Sequence, residues 1–198
     1  MATGDAAVLD EPAPFLDARP LAEDEESRYD QHLPTSGTAP LYEHCLRAIR
    51  ISLVFGAHGM PLIGGGDWND GLNRVGRGGR GESVWLAWFV CDTLRRFEAV
   101  ARLRGDEATA AWCREERETL AARTESAAWD GDWYRRATFD DGTPLGTAAD
   151  EECRLDAISQ SWAVLSGAGL AGRAQRAMAS VRTHLIRPDD GLILLLDP

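Results

Sequence analysis

The sequence has no surplus of basic residues: 21 Lys and Arg stand against 32 Asp and Glu, giving a net charge of -11 and a pI near 4.8. Nucleic acid and anionic membrane surfaces are held by basic faces, so both are excluded as partners that organise the chain. Cysteine is sparse. Cys45, Cys91, Cys113 and Cys153 are widely spaced, with no CxxC pair and no His-rich companion, which argues against a zinc site and for a reduced, cytoplasmic setting. No stretch is long and apolar enough to cross a membrane, and the N-terminus lacks the basic-then-apolar order of a secretory signal, so no direct membrane insertion is expected. Neither a metal nor an organic cofactor is called for.

What is present is globular composition, 198 residues with 44% hydrophobic and 27% charged, enough for one sizeable core or part of a larger one. The chain is organised around Gly64-Gly65-Gly66-Asp67-Trp68-Asn69-Asp70-Gly71-Leu72-Asn73. Glycines let backbone approach a ligand closely, and two carboxylates, an amide and an indole follow at once. A pyranose presents hydroxyls, read by Asp and Asn, and an apolar C–H face that packs on a ring such as Trp68. Breaking a glycosidic bond also needs a proton for the departing oxygen. A carboxylic acid held partly desolvated beside an aromatic ring can keep one, and Asp70 is the candidate. The same residues also suit an ordinary exposed turn, with Asp67 as a cap and Trp68 in the core, because Asp, Asn and Gly cluster in loops.

Longer strings extend the pattern. Gly56-Ala57-His58-Gly59-Met60-Pro61-Leu62-Ile63 runs into the glycine-rich stretch, and Asn73-Arg74-Val75-Gly76 and Gly81-Glu82-Ser83-Val84-Trp85-Leu86-Ala87-Trp88-Phe89 follow it. Thr3-Gly4-Asp5, Leu41-Tyr42-Glu43-His44-Cys45, Trp129-Asp130-Gly131-Asp132-Trp133-Tyr134-Arg135-Arg136 and Asp156-Ala157-Ile158-Ser159-Gln160-Ser161-Trp162 add to it. Together these resemble the glycoside hydrolase family 94 phosphorylases, formerly glycosyltransferase family 36. The likeness is stronger to the C-terminal phosphorylase-like region of cyclic β-1,2-glucan synthases than to cellobiose or chitobiose phosphorylases, and it covers nearly the whole chain.

That resemblance implies an all-α fold, part of an (α/α)6 barrel, acting on β-linked glucan oligosaccharides. Inverting glycosidases set an acid on one side of the bond and a base that activates water on the other. In this family inorganic phosphate takes the place of water as co-substrate, so one enzymic carboxylate suffices. The second aspartate of the Trp-Asn-Asp run is the family's general acid, which carries over to Asp70, and Trp68 carries over as a wall of the sugar subsite. Asp67 and Asn69 join the substrate-binding set as residues that shape the loop. Gln160 and Trp162 face the cleft by the same resemblance, although a buried Gln bonded to backbone explains the first as well.

Taken in order, residues 1–37 are rich in Pro and acid (Pro12, Pro14, Pro20, Glu23, Asp24, Glu25, Glu26), which favours extended chain over helix. Resemblance makes them an ordered connecting segment lying over the barrel near the sugar, with 38–198 as the partial barrel. From Thr38 the apolar spacing predicts a helix through Leu53, with Gly56 as its C-terminal cap. Further helices are expected over 82–103, 106–127, 156–167 and 172–185, with the charge run Glu115–Glu118 facing solvent. Residues 129–146 predict a short hairpin turned at Asp140-Asp141-Gly142-Thr143-Pro144. There Trp133, Tyr134 and Arg135 either line a sugar cleft or pack inward. Arg74, Arg77 and Arg80 invite a phosphate but also suit a solvated loop.

The chain opens at Met1 inside what looks like the end of a helix motif and stops in the apolar run Leu194-Leu195-Leu196-Asp197-Pro198. By resemblance, an upstream half-barrel with an Arg and an Asp for the sugar, and downstream phosphate-binding loops, would come from the remainder of a parent polypeptide, itself anchored in the inner membrane. Positioning is much of the rate, so little or no phosphorolysis is expected of this chain alone. The alternative is a noncatalytic sugar-binding module that keeps the loop and has lost the chemistry.

Overall fold

The computed structural model describes residues 4–22, 25 and 28–197. Met1, Thr3, Glu23, Asp24, Glu26 and Pro198, each singled out in the sequence, lie outside the described residues. The chain divides into two units, Met1–Ser52 and Leu53–Pro198.

In the first unit a 3-10 turn at Ala7–Asp10 leads into strand β1 (Pro12–Asp17), which pairs antiparallel with β2 (Leu33–Pro40) before helix α1 (Leu41–Ser52). Proline fixes φ near the extended range and donates no backbone hydrogen bond, so Pro12, Pro14, Pro34 and Pro40 suit a two-stranded ribbon, where half the backbone groups face solvent. The segment expected to be extended is therefore a paired ribbon, with a register shift between Pro14 and Leu16. Phe15 ties it to α1, stacking on His44 at 4.2 Å while the Arg47 guanidinium lies 4.5 Å above its ring. His44 Nε2 also meets the Ala13 carbonyl at 3.0 Å.

Helix α1 is shorter than the spacing predicts, because Thr38–Pro40 belong to β2 and the helix stops at Ser52. Gly56 is not its cap. It sits in a tight reversal closed by a Phe55–Pro61 bridge, and its N–H donates to the Met60 carbonyl at 2.9 Å. A Cβ there would lie 2.5 Å from Glu82 Cγ, so the absence of a side chain is what lets this reversal close over Glu82.

The second unit is built on α2 (Val84–Leu103) and α3 (Glu107–Ala128), packed side by side. Trp88, Cys91, Leu94 and Ala101 of α2 are buried, as are Ala110, Cys113 and Leu120 of α3. Helix α4 (Ala157–Leu165) packs on α2 and on α5 (Ala171–His184). Side chains start three of these helices: Ser83 accepts from the Leu86 N–H, Asp106 from Thr109 and Asp156 from Ile158. Each satisfies a backbone donor that the first helical turn leaves over.

The expected hairpin is one part of a larger arrangement. β3 (Glu82–Ser83), β4 (Ala137–Thr138) and β5 (Pro144–Leu145) form an antiparallel sheet in that order. A second hairpin, β6 (Ile186–Arg187) with β7 (Leu192–Ile193), follows α5. The fold is thus helical with three small antiparallel sheets among the described residues. None of its described helices is long and apolar enough to cross a membrane.

Candidate functional site

The glycine-rich loop lies against the three-stranded sheet. Ile63 and Val75, on either side of it, bury with Ala137 of β4, and Leu72, Phe139 and Leu145 pack on that cluster. Gly64 and Gly66 take φ of +57° and +135°, the second far outside what side chains tolerate, which turns the chain so that Asp67 points inward and Trp68 outward.

Asp67 is the anchor. Its side chain is 0% exposed and meets Arg136 as a fork, Nη1 to Oδ2 at 2.7 Å and Nη2 to Oδ1 at 2.6 Å. Ser83 Oγ donates to the same Oδ2 at 2.5 Å, and the Asn69 N–H donates to Oδ1 at 3.0 Å. Arg136 is itself 0% exposed and donates from Nε to Asp156 Oδ2 at 3.1 Å. One guanidinium thus joins the loop to the starts of α2, through Ser83, and α4, through Asp156. Its backbone is fixed by the sheet, with the Arg136 N–H donating to Leu145 and its carbonyl accepting from Val84.

The charges follow from this packing. Burial pushes the Asp67 carboxyl up, but the Arg136 fork, aided by Ser83 and the Asn69 N–H, outweighs it and holds the group below the usual carboxylate range. At Asp156 burial wins over the single bond from Arg136 and the helix N–H groups, so its carboxyl is raised. Burial lowers the Arg136 guanidinium, yet the two carboxylates raise it further, and it stays charged.

Above this anchor the loop turns outward. Asn69 Oδ1 accepts from the Gly71 N–H at 2.9 Å, starting a 3-10 turn over Asp70–Leu72. Trp68 is 60% exposed and Asp70 is exposed beside it. The Asp70 carboxyl is therefore not desolvated within this chain, contrary to the expectation for the acid.

The other residues nominated from sequence have structural positions. The Asp67 side chain is enclosed and both its oxygens are taken by Arg136, Ser83 and the Asn69 N–H. Tyr134 is fully buried, its hydroxyl donating to Glu125 Oε1 at 2.6 Å. Gln160 is also fully buried; its Oε1 accepts from the Tyr134 N–H and its Nε2 donates to the Tyr134 and Asp156 carbonyls. Trp133 packs inward and donates Nε1–H to the Gly146 carbonyl at 3.0 Å. All three are enclosed by the rest of this chain and none faces an open cleft in it. Arg135 is half-buried and spans to Asp130 at 3.2 Å. Trp162 packs edge-on against Trp85 and Phe89.

The basic glycine loop carries its own anion. Asp140 accepts from the N–H groups of Gly78, Arg80 and Gly81 at 2.6, 2.8 and 2.9 Å, so those donors do not face a phosphate. The bond from Gly78 comes first among the causes that hold the Asp140 carboxyl low.

Sequence reasoning missed Arg136, Asp156 and Ser83 as members of the site. No periodic signal marked the first, since Trp133, Tyr134, Arg136, Ala137 and Thr138 are all buried and the inward side chains do not alternate. It also passed over Glu82, whose enclosed carboxylate accepts from the His58 and Met60 N–H groups at 3.0 and 3.1 Å and meets His58 Nδ1 at 2.5 Å. Among the described residues no group of His, Cys, Asp and Glu is placed to hold a metal.

Known proteins are similar to this chain. The chain is 44% identical over 197 residues to cyclic beta-(1,2)-glucan synthase NdvB of Rhizobium meliloti (strain 1021), a match covering 99% of this chain and 7% of the relative. It is 37% identical over 148 residues to 3-O-beta-D-glucopyranosyl-beta-D-glucuronide phosphorylase of Paenibacillus borealis, covering 74% of this chain and 19% of that protein. To solabiose phosphorylase of the same organism it is 34% identical over 194 residues, covering 97% and 23%. The chain thus spans less than a quarter of the length of each of these relatives. With the model of the glycosyl hydrolase 94 superfamily catalytic domain matching residues 2–198 and these identities along the same stretch, the chain belongs to that superfamily.

Proposed function

We propose that this chain carries the acid-bearing part of a phosphate-dependent cleavage site for β-linked glucans, set in an (α/α)6 barrel to which further polypeptide contributes. The observation that carries the reading is the loop itself, which presents an exposed indole at Trp68 and an exposed carboxyl at Asp70 above a buried ion cluster. Trp68 packs on the apolar face of a glucosyl unit. Asp70 gives its proton to the glycosidic oxygen as the bond from that oxygen to the anomeric carbon breaks. A phosphate oxygen attacks the same carbon from the opposite face, so the products are a glucosyl phosphate of inverted configuration and a glucan one unit shorter.

A bound glucan that covers Asp70 removes water from its carboxyl, and desolvation favours the neutral acid that the step needs. Phosphate is held by groups outside the basic glycine loop, whose backbone donors are engaged with Asp140. The name of the 44% identical relative favours β-1,2-linked glucan as the substrate. A cytoplasmic location follows the reduced-cysteine reading, and all four cysteines are free.

Titrating a β-1,2-linked gluco-oligosaccharide into isotopically labelled chain is expected to shift the Trp68 indole and the amides of Asn69 to Gly71. Trp68→Ala weakens that binding about tenfold or more. Phosphate-dependent release of glucose 1-phosphate is expected to be little or none from the chain alone, and wherever turnover is measured Asp70→Asn lowers it by about 10²–10⁴. No shift at Trp68, or turnover indifferent to Asp70→Asn, refutes the reading. The solvent exposure of Asp70 favours a second reading, a noncatalytic glucan-binding module. Saturable binding lost on Trp68→Ala but kept on Asp70→Asn, with no turnover in any assembly, selects it.

A further inference from the structure

We infer that Arg136 is the positioning residue for the loop that presents Trp68 and Asp70, acting through Asp67 and Asn69. This rests on the proposed function only for its consequence on glucan; the mechanical part stands on geometry alone. Four links run in sequence from the enclosed guanidinium to the exposed turn. The Arg136 fork fixes Asp67, an oxygen of Asp67 accepts from the Asn69 N–H, Asn69 Oδ1 accepts from the Gly71 N–H, and the Asn69 carbonyl accepts from Leu72. Asp70 is the residue between these bonded points, and its own carboxyl has no partner among the described residues. Its direction is therefore set from below.

The other end of Arg136 explains why the anchor is firm. A bidentate guanidinium has a fixed plane, and here that plane is set by Asp156 at Nε, by Ser83 Oγ at 3.3 Å from Nη1, and by the sheet on either side of residue 136. Two helix N-termini and one sheet thus determine where a flexible, glycine-rich loop holds its two outward side chains. Lysine in this position keeps the charge but has no fork, so it cannot grip both oxygens of Asp67 while reaching Asp156.

The test compares Asp67→Asn, Arg136→Lys and the double variant by site-resolved amide exchange, with α3 amides such as Leu120 as internal reference. Asp67→Asn is decisive because it leaves Arg136 paired with Asp156 and the helix caps in place. The expected result is that exchange at Asn69 and Gly71 quickens at least tenfold in each single variant and no further in the double, while Leu120 keeps its protection. Unchanged exchange at Asn69 and Gly71 in folded Asp67→Asn overturns the inference. So does equal quickening at Leu120, which marks general unfolding.

Glucan separates the inference from the function beneath it. Oligosaccharide affinity is expected to fall with loop protection in Asp67→Asn and Arg136→Lys, and kcat, wherever turnover is measured, by about 10², the scale of a misplaced reacting group. If the loop loosens but neither these variants nor Trp68→Ala alters glucan binding, the positioning stands and the function does not. If Trp68→Ala abolishes binding while a loosened loop leaves affinity and kcat intact, Arg136 is structural only and the inference fails.

Discussion

Arg136 sets one positive charge between two enclosed carboxylates, and the two answer it differently. Asp67, gripped by the fork, is held low; a group whose folded value is depressed contributes stability above its unfolded value and loses it as pH falls through the folded one. Asp156 is raised, so its contribution is present below its unfolded value and is lost as pH rises through the raised value. At neutral pH the first carboxylate stabilises the fold and the second costs. Removing the Asp67 charge is accordingly expected to cost about 3 kcal/mol in urea unfolding at pH 7, the scale of breaking an enclosed pair. Asp156→Asn, which keeps a good helix cap, is expected to change stability by less than about 1 kcal/mol. The Asp67→Asn deficit narrows as pH drops through the acid range. Equal losses from the two variants at pH 7 would contradict this account of the cluster.

At the scale of elements, helix starts and loop anchors share atoms. Ser83 Oγ accepts from the Leu86 N–H at 3.0 Å and donates to Asp67 at 2.5 Å, so one hydroxyl both caps α2 and secures the glycine loop. Ser83→Ala is expected to lower stability by about 1–3 kcal/mol, the cap and an enclosed hydrogen bond together, and to speed amide exchange at both Leu86 and Asn69. A change at Leu86 alone would separate the two roles. The helices α2 to α5 were legible in the sequence because their cause is local: apolar spacing, and Ser, Asp and Asp at three starts. The ribbon of β1 and β2 was not, since Pro12 meets Pro40 across 28 positions of chain, and composition records extended backbone without naming its partner. The end of α1 was misread for a similar reason. Gly56 looks like a cap from its neighbours, but its smallness serves Glu82, far along the chain. In the site, the glycine-rich turn was legible from residue type, whereas residue type alone left Trp68 open between the core and the surface, and it is the fold that turns it outward. The choice between Arg135 and Arg136 depended on sheet register, and the enclosure of Tyr134 and Gln160 depended on helices that only tertiary packing brings over them.

Over the whole molecule, the ion cluster, the loop and the caps of α2 and α4 all belong to the Leu53–Pro198 unit. A polypeptide beginning at Leu53 is therefore expected to unfold cooperatively and to retain slow exchange at Asn69 and Gly71. Loss of that protection with α3 still folded would mean that the loop depends on the Met1–Ser52 unit. The same unit leaves Val164 and Leu165 of α4, Leu170 before α5 and Met178 within it exposed. The outward turn of Trp68 has one more consequence. Of seven tryptophans it is the most exposed: Trp85, Trp88 and Trp133 are buried and Trp112, Trp129 and Trp162 partly so, and iodide or acrylamide in the solvent reaches this indole most readily. The residue at the mouth of the loop is thus a built-in optical reporter: a bound sugar that covered it would lower the quenchable, red-edge part of the emission, without any label.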